Sequence, residues 1–199
     1  MAGIKLEISN IEQVLMQISG QQKVLAKALE ATTKDFKSRA PSKISKRIRE
    51  VYGIKTADIK ATQKGARTNG TINVAGINVD NVELAYSGRL LTPTHFNMTP
   101  KTRPASKKYT VKATIKKGHK TVLSSRAFLA LSGKAGSIQI PFQRVGASRY
   151  PIKAIKTLSV PQMITNETDG VAENISKDIN ELLNSRLEHN IKRFEAKAR

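Results

Sequence analysis

Two kinds of spacing alternate along the chain. Ile4, Leu6 and Ile8 alternate with polar residues, which predicts a short edge strand. Ser9-Asn10-Ile11-Glu12 then has the form of a capping box, a hydroxyl at the cap and a carboxylate three residues on. Beyond it Ile11, Val14, Leu15, Ile18, Leu25, Ala28, Leu29 and Phe36 fall at helical spacing on one face, softened near Gly20-Gln21-Gln22 and ended by Pro41. That predicts a helix over 9–40. A second, shorter helix is expected over about 43–52, with Ile44, Ile48 and Val51 on one side and Gly53 as its stop.

The centre changes to a period of two. Ile72-Val74, Ile77-Val79 and Val82-Leu84-Tyr86 alternate, with Gly70, Gly76 and Asn81 as turn or bulge points. The clearest strand is Tyr109-Val111-Ala113-Ile115, interleaved with Lys108, Lys112 and Lys116. It ends at Lys117-Gly118-His119, a hairpin turn before Thr121-Val122-Leu123. Residues 127–131 and 138–142 predict two more short apolar strands, and the Pro-rich stretch 92–104 predicts a mobile loop. After Pro161 helical spacing returns: Val171, Ile175, Ile179, Leu182, Leu183, Leu187, Ile191 and Phe194 make one stripe, capped by Asn166 or Thr168. The pattern therefore predicts a single α+β domain over 1–199. A helix at 9–40 and another at 166–197 cover an antiparallel sheet within a basic, β-rich core at 70–160.

Charge changes the picture. Residues 84–166 hold fifteen Lys and Arg and no Asp or Glu, in a chain of net charge +20. Lys101, Arg103, Lys107, Lys108, Lys112, Lys116, Lys117 and Lys120 crowd into about twenty residues. Such a segment repels itself unless it faces an anionic partner or open solvent. Double-stranded DNA, with about one charge per 1.7 Å of axis, is the first candidate partner. Lys107, Lys108, Lys112, Lys116, Lys117 and Lys120 are the candidate DNA-facing residues. The alternatives are a solvated lysine surface or contact with an acidic neighbouring protein. With five Phe, four Tyr and no Trp, the chain is poor in the rings on which single strands stack.

Little else suggests chemistry. There is no cysteine, hence no disulfide or thiolate metal site. His95, His119 and His189 are far apart in sequence, and no metal, nucleophile, phosphate-loop or dinucleotide motif occurs. The expectation is no catalytic residue, no metal and no cofactor: a protein that binds or builds. No signal-peptide pattern opens the chain and no apolar run reaches bilayer length, so synthesis in a cytoplasm and no membrane partner are expected.

A family resemblance adds to this. Ser125-Arg126-Ala127-Phe128-Leu129-Ala130-Leu131 is followed by Gly136-Ser137-Ile138-Gln139-Ile140-Pro141-Phe142-Gln143-Arg144, then Pro151-Ile152 and Leu158-Ser159-Val160-Pro161-Gln162-Met163. Together with Arg49-Glu50-Val51-Tyr52-Gly53-Ile54-Lys55 and Leu90-Leu91-Thr92-Pro93, this order resembles the minor tail protein Z family, the tail completion proteins of lambda-like long-tailed phages. The resemblance covers about residues 28–191. Where the family has Gly-Val-Phe-x-Arg this chain has Ile140-Pro141-Phe142-Gln143-Arg144, so an edge or bulged strand is expected there.

The resemblance implies a non-enzymatic virion protein at the head-proximal end of the tail. It would form a homo-oligomeric ring, expected to be six-fold, that completes the tail and joins it to the head. Its partners would be tail terminator, tail tube or connector proteins, and the genomic double-stranded DNA. Phe128, Arg144, Leu183 and Leu187 are the candidate interface residues. The competing reading is a free, non-sequence-specific basic nucleic-acid-binding protein, supported by a pI of about 10.4. The absence of a recognition helix dense in Arg, Asn and Gln counts against it.

Overall fold

The computed structural model describes residues 2–7, 22–59, 71–77, 81–106, 108–132 and 138–198. The Ser9–Glu12 capping box, the apolar positions 11–18, the turn residues Gly70 and Gly136, and Lys107 lie outside them. The fold is α+β: two long helices, Gln22–Val51 (α1) and Val171–Ala198 (α4), the short helices Thr56–Ile59 (α2) and Val160–Thr165 (α3), and small antiparallel sheets. Among the described residues the β structure is three separate sheets, and the chain forms two compact units. The first takes residues 1–47, 71–87 and 164–199, the second 48–70 and 88–163.

In the first unit, β1 (Ala2–Glu7) and β2 (Thr71–Ile77) flank β3 (Asn81–Ser87), so β1 is an edge strand as its spacing predicts. The β2–β3 register shifts between Ala75 and Ile77, placing a bulge at Gly76. Helix α4 keeps its predicted stripe: Val171, Ile175, Ile179, Leu182, Leu183, Leu187 and Ile191 are buried. Asn166 caps the 3-10 turn Glu167–Asp169 that leads into it, its side chain accepting the Thr168 amide. Leu187 and Ile191 pack on Ala28, flanked by Leu25, Leu29 and Phe194.

Helix α1 departs from expectation. Pro41 lies inside it, and the predicted break between a 9–40 helix and a 43–52 helix does not occur. Ala28, Thr32, Phe36, Ala40, Ile44 and Ile48, each four residues from the next, are all buried to 3% exposure or less. A Pro in a helix interior costs about 3 kcal/mol, whereas each fully buried large apolar side chain contributes about 1.5–3 kcal/mol. Burial along the stripe therefore outweighs the local penalty.

Two polar contacts tie α1 to α4. Buried Asn190 donates through Nδ2 to Thr32 Oγ1 at 3.1 Å and to Asp35 Oδ2 at 3.4 Å, while Thr32 Oγ1 donates to Ala28 O. Arg47 grips Asp178 in a two-pronged pair, Nε to Oδ2 and Nη2 to Oδ1, both 2.7 Å. That hydrogen bonding holds the Asp178 carboxyl below the usual 3.8. Burial pushes the other way, and the charges of Arg47, Lys43 and Lys46 lower it further.

In the second unit, β4 (Lys112–Ala113) pairs with β5 (Thr121–Val122) around Lys117-Gly118-His119, the predicted hairpin. Gly118 has φ +80, a left-handed turn conformation that favours glycine. Val111 and Ala113 are buried beside Met98, Ala127 and Leu129 while Lys108 and Lys112 face out, so the strand alternates as read. Gly53 serves another purpose than helix stop. Its amide donates to Ile115 O at 2.9 Å, and a Cβ there would collide with the Thr114 carbonyl oxygen. The 92–104 loop, expected to be mobile, is pinned: Phe96 bridges Ile54, Thr99 bridges Lys112, and Phe96 and Met98 are buried.

The third sheet runs β6 (Phe128–Leu131), β7 (Gln139–Arg144), β8 (Ile152–Ala154), with β7 in the middle. Pro141 thus sits in a central strand, not the expected edge. Its partner Leu129 sends its amide to the Tyr109 hydroxyl at 2.8 Å, and Pro141 O accepts the Ile155 amide. Both residues of the pair turn their backbone groups away from each other, so β6 asks no N–H of Pro141. On the other side, Pro141 lies one residue past the last β7–β8 pair, Phe142 with Ala154.

Asp178→Asn should lower stability by about 2 kcal/mol, the scale of a charge-assisted pair in a partly buried setting. The folded carboxyl has the lower pKa, so the pair's contribution is complete above the unfolded value and is lost as pH falls through the folded one. Denaturant midpoints between pH 7 and pH 2 should converge for wild type and variant at the acid end; a constant gap would refute this role. Gly53→Ala should cost about 1–3 kcal/mol through overpacking, and an unchanged midpoint would contradict the close approach to Thr114.

Candidate nucleic-acid interface

Charge is shared unevenly between the two units. The second unit's sequence carries 20 of the 35 Lys and Arg but only 2 of the 15 carboxylates, a formal +18. The first carries the other 15 cations and 13 carboxylates, a formal +2. Of the second unit's two acids, Asp58 is engaged. His95 Nδ1 lies 2.8 Å from its Oδ1, joining the short helix α2 (Thr56–Ile59) to the 92–104 loop. Sequence spacing gave no sign of that pair, since 37 residues separate its members.

The predicted DNA-facing lysines are placed as follows. Lys108, Lys112, Lys117 and Lys120 are exposed, Lys112 on β4 and the last two around the hairpin turn. Lys116 is half-buried, its backbone bridged to Tyr52, and the Lys117 amide donates to Val51 O. The hairpin is thus anchored to the end of α1, with its lysines spread over an outward surface. Of the candidate interface residues, Phe128 is half-buried and stacks on Phe142, ring centroids 6.3 Å apart. Arg144, at the end of β7, is exposed. Leu183 and Leu187 are 2% and 7% exposed, and Leu187 packs with Ala28 and Ile191, so within the single chain little of their surface is open to a partner.

The structure gathers a second set of cations, joining Lys108 from the candidate DNA-facing lysines and Arg144 from the candidate interface residues to arginines given no role by the sequence pattern. Arg103, Lys108, Arg126, Arg144 and Arg149 line one open concavity of about 1120 Å³, together with Tyr109, Phe128 and Tyr150. Among the described residues its lining contains no carboxylate. All five cations are exposed, and none meets an acid among the described residues. Each is placed by a different piece of local structure. The Arg103 amide donates to Gln139 Oε1 at 2.6 Å, fixing the 92–104 loop to β7. A turn in which the Arg126 and Ala127 amides donate to Ser124 presents Arg126 just before β6. The Val145 amide, donating to Pro151 O at 3.1 Å, closes the loop that carries Arg149 and Tyr150, and the Arg149 guanidinium lies 5.7 Å from the Tyr150 ring centroid. In sequence these residues are scattered over 103–150. Only the pairing of β6, β7 and β8 brings them to one place, so no motif could announce them.

Arginine forks and tyrosine hydroxyls on a concave basic surface can hold anionic oxygens. Among the described residues no group of three or more His, Asp or Glu side chains is placed to hold a metal ion, and no helix is long and apolar enough to cross a membrane. No curated protein and no solved structure matches the chain. The family model of the prophage minor tail protein Z matches residues 1–197, nearly the whole chain and on both sides of the 28–191 resemblance, and the protein belongs to that family.

Proposed function

We propose that this minor tail protein forms a homo-oligomeric ring at the head-proximal end of the tail, joins tail to head, has no catalytic turnover, and turns its second unit toward the genome end. The observation that carries this reading is the charge division: a tail component with +18 on one unit and +2 on the other has one surface suited to polyphosphate and one suited to protein. Six-fold symmetry is the natural expectation for a ring matched to a tail tube. Ring neighbours would cover the exposed apolar residues Leu131, Ile138 and Val145, which are 58–64% exposed in the single chain. Tail terminator, tube or connector proteins would meet the remaining faces.

Deletion of the gene from its phage should leave filled heads and complete tail tubes but few joined, infective particles, counted by electron microscopy and plaque assay. Supply of the intact gene in trans should restore them. Normal yields of joined particles from the deletion would contradict the joining role.

A further inference from the structure

We infer that the arginine cleft, and not the lysine hairpin, is a specific binding site for the phosphodiester backbone of a nucleic-acid strand. The inference rests on the reading that the second unit meets nucleic acid, and it names where and how. Among the described residues four of the five lining cations are arginines, Arg103, Arg126, Arg144 and Arg149, with Lys108 beside them. A guanidinium presents its donors as a planar fork that matches two oxygens of one phosphate, whereas an ammonium acts as a point charge. The hairpin offers only the latter, at Lys112, Lys117 and Lys120, none of which lines the cleft.

The rest of the lining suits a nucleotide strand. The Tyr109 oxygen already accepts the Leu129 amide, so its own proton remains for donation, and Thr110 and Ser125 add hydroxyls. Aromatic rings are scarce in this chain, yet three of its nine Phe and Tyr residues, Tyr109, Phe128 and Tyr150, line this one concavity. Tyr150 is 66% exposed beside the Arg149 guanidinium, an open stacking face for a base. The volume suits a short stretch of one strand lying in the cleft, with any second strand outside it. A strand supplies one anion per about 3.4 Å of axis, a density that an acid-free lining with five cations matches better than the spaced carboxylates of an ordinary peptide.

The test compares two variants of the full chain that lose the same charge: R126Q/R144Q/R149Q in the cleft and K112Q/K117Q/K120Q on the hairpin. All six side chains are exposed, so folding should survive in both. Binding to a labelled oligothymidylate and to a mixed-sequence duplex is followed against salt concentration. The cleft variant should bind the single strand on the order of 100-fold more weakly, with the log–log salt slope reduced by about 2, roughly 0.7 for each of three lost contacts. The hairpin variant should lose less than about threefold. R126K/R144K/R149K keeps the charge and guards against a folding artefact; it should still lose about tenfold, because the forks are gone.

Equal losses in the two Gln variants would leave the nucleic-acid reading standing but overturn the site, since a diffuse basic field would then suffice. Full affinity in the Lys variant would also overturn it. If neither Gln variant loses affinity, or wild type binds no nucleic acid, both the site and the reading fail. Displacement of the strand by polyglutamate at equal anion concentration would assign the cleft to an acidic protein segment and overturn the proposal.

Discussion

A unit with twenty cations and two carboxylates cannot neutralise itself, and that imbalance is the constraint on which the rest of this protein depends. The imbalance follows from the same alternation that builds the core. On the strand leading into the hairpin, Val111 and Ala113 turn inward to meet Met98 and Leu129, so Lys108 and Lys112 turn out. On this strand the core and part of the unit's field are thus made together. The first unit is built differently. Its acids nearly balance its cations, and Arg47 and Asp178 close a two-pronged pair between its two long helices. One unit resolves its electrostatics within the chain, and the other leaves its positive charge to be met from outside.

Much of this was legible in the sequence where local pattern and tertiary burial agree. The stripe from Val171 to Phe194, the Lys112–Ala113 strand of the hairpin and the strand before residues 133–137 follow their spacing because positions at the helical or alternating spacing are buried. Where the two disagree, burial prevails. Pro41 reads locally as a stop, but Ala40 and Ile44 on either side of it are fully buried and carry the helix through. The 92–104 stretch reads as a mobile loop from its prolines, but Phe96 and Met98 within it belong to the core. Pro141 reads as an edge residue, yet it occupies the one kind of central-strand position that asks for no N–H on its β6 side.

The candidate site was legible only as a charge. Composition located the excess in residues 84–166 but pointed to the densest run, the hairpin lysines, because density is what a sequence displays. The arginines of the cleft are far apart along the chain, and their convergence is a property of strand pairing. Leu183 and Leu187 illustrate the converse limit: a clean apolar stripe looks the same whether a subunit partner or the chain itself covers it, and here it is the chain.

Membership of the minor tail protein Z family makes this protein a component of the phage tail. The proposal that the second unit's basic face meets the genome can be checked by a cryo-electron microscopy reconstruction of the neck of the DNA-filled particle. The expected result is a ring whose second units line the channel, with Arg126, Arg144 and Arg149 within hydrogen-bonding reach of DNA density. A ring with those arginines on the outer wall, or buried against an acidic neighbouring tail protein while the channel is lined by the first unit, would contradict it.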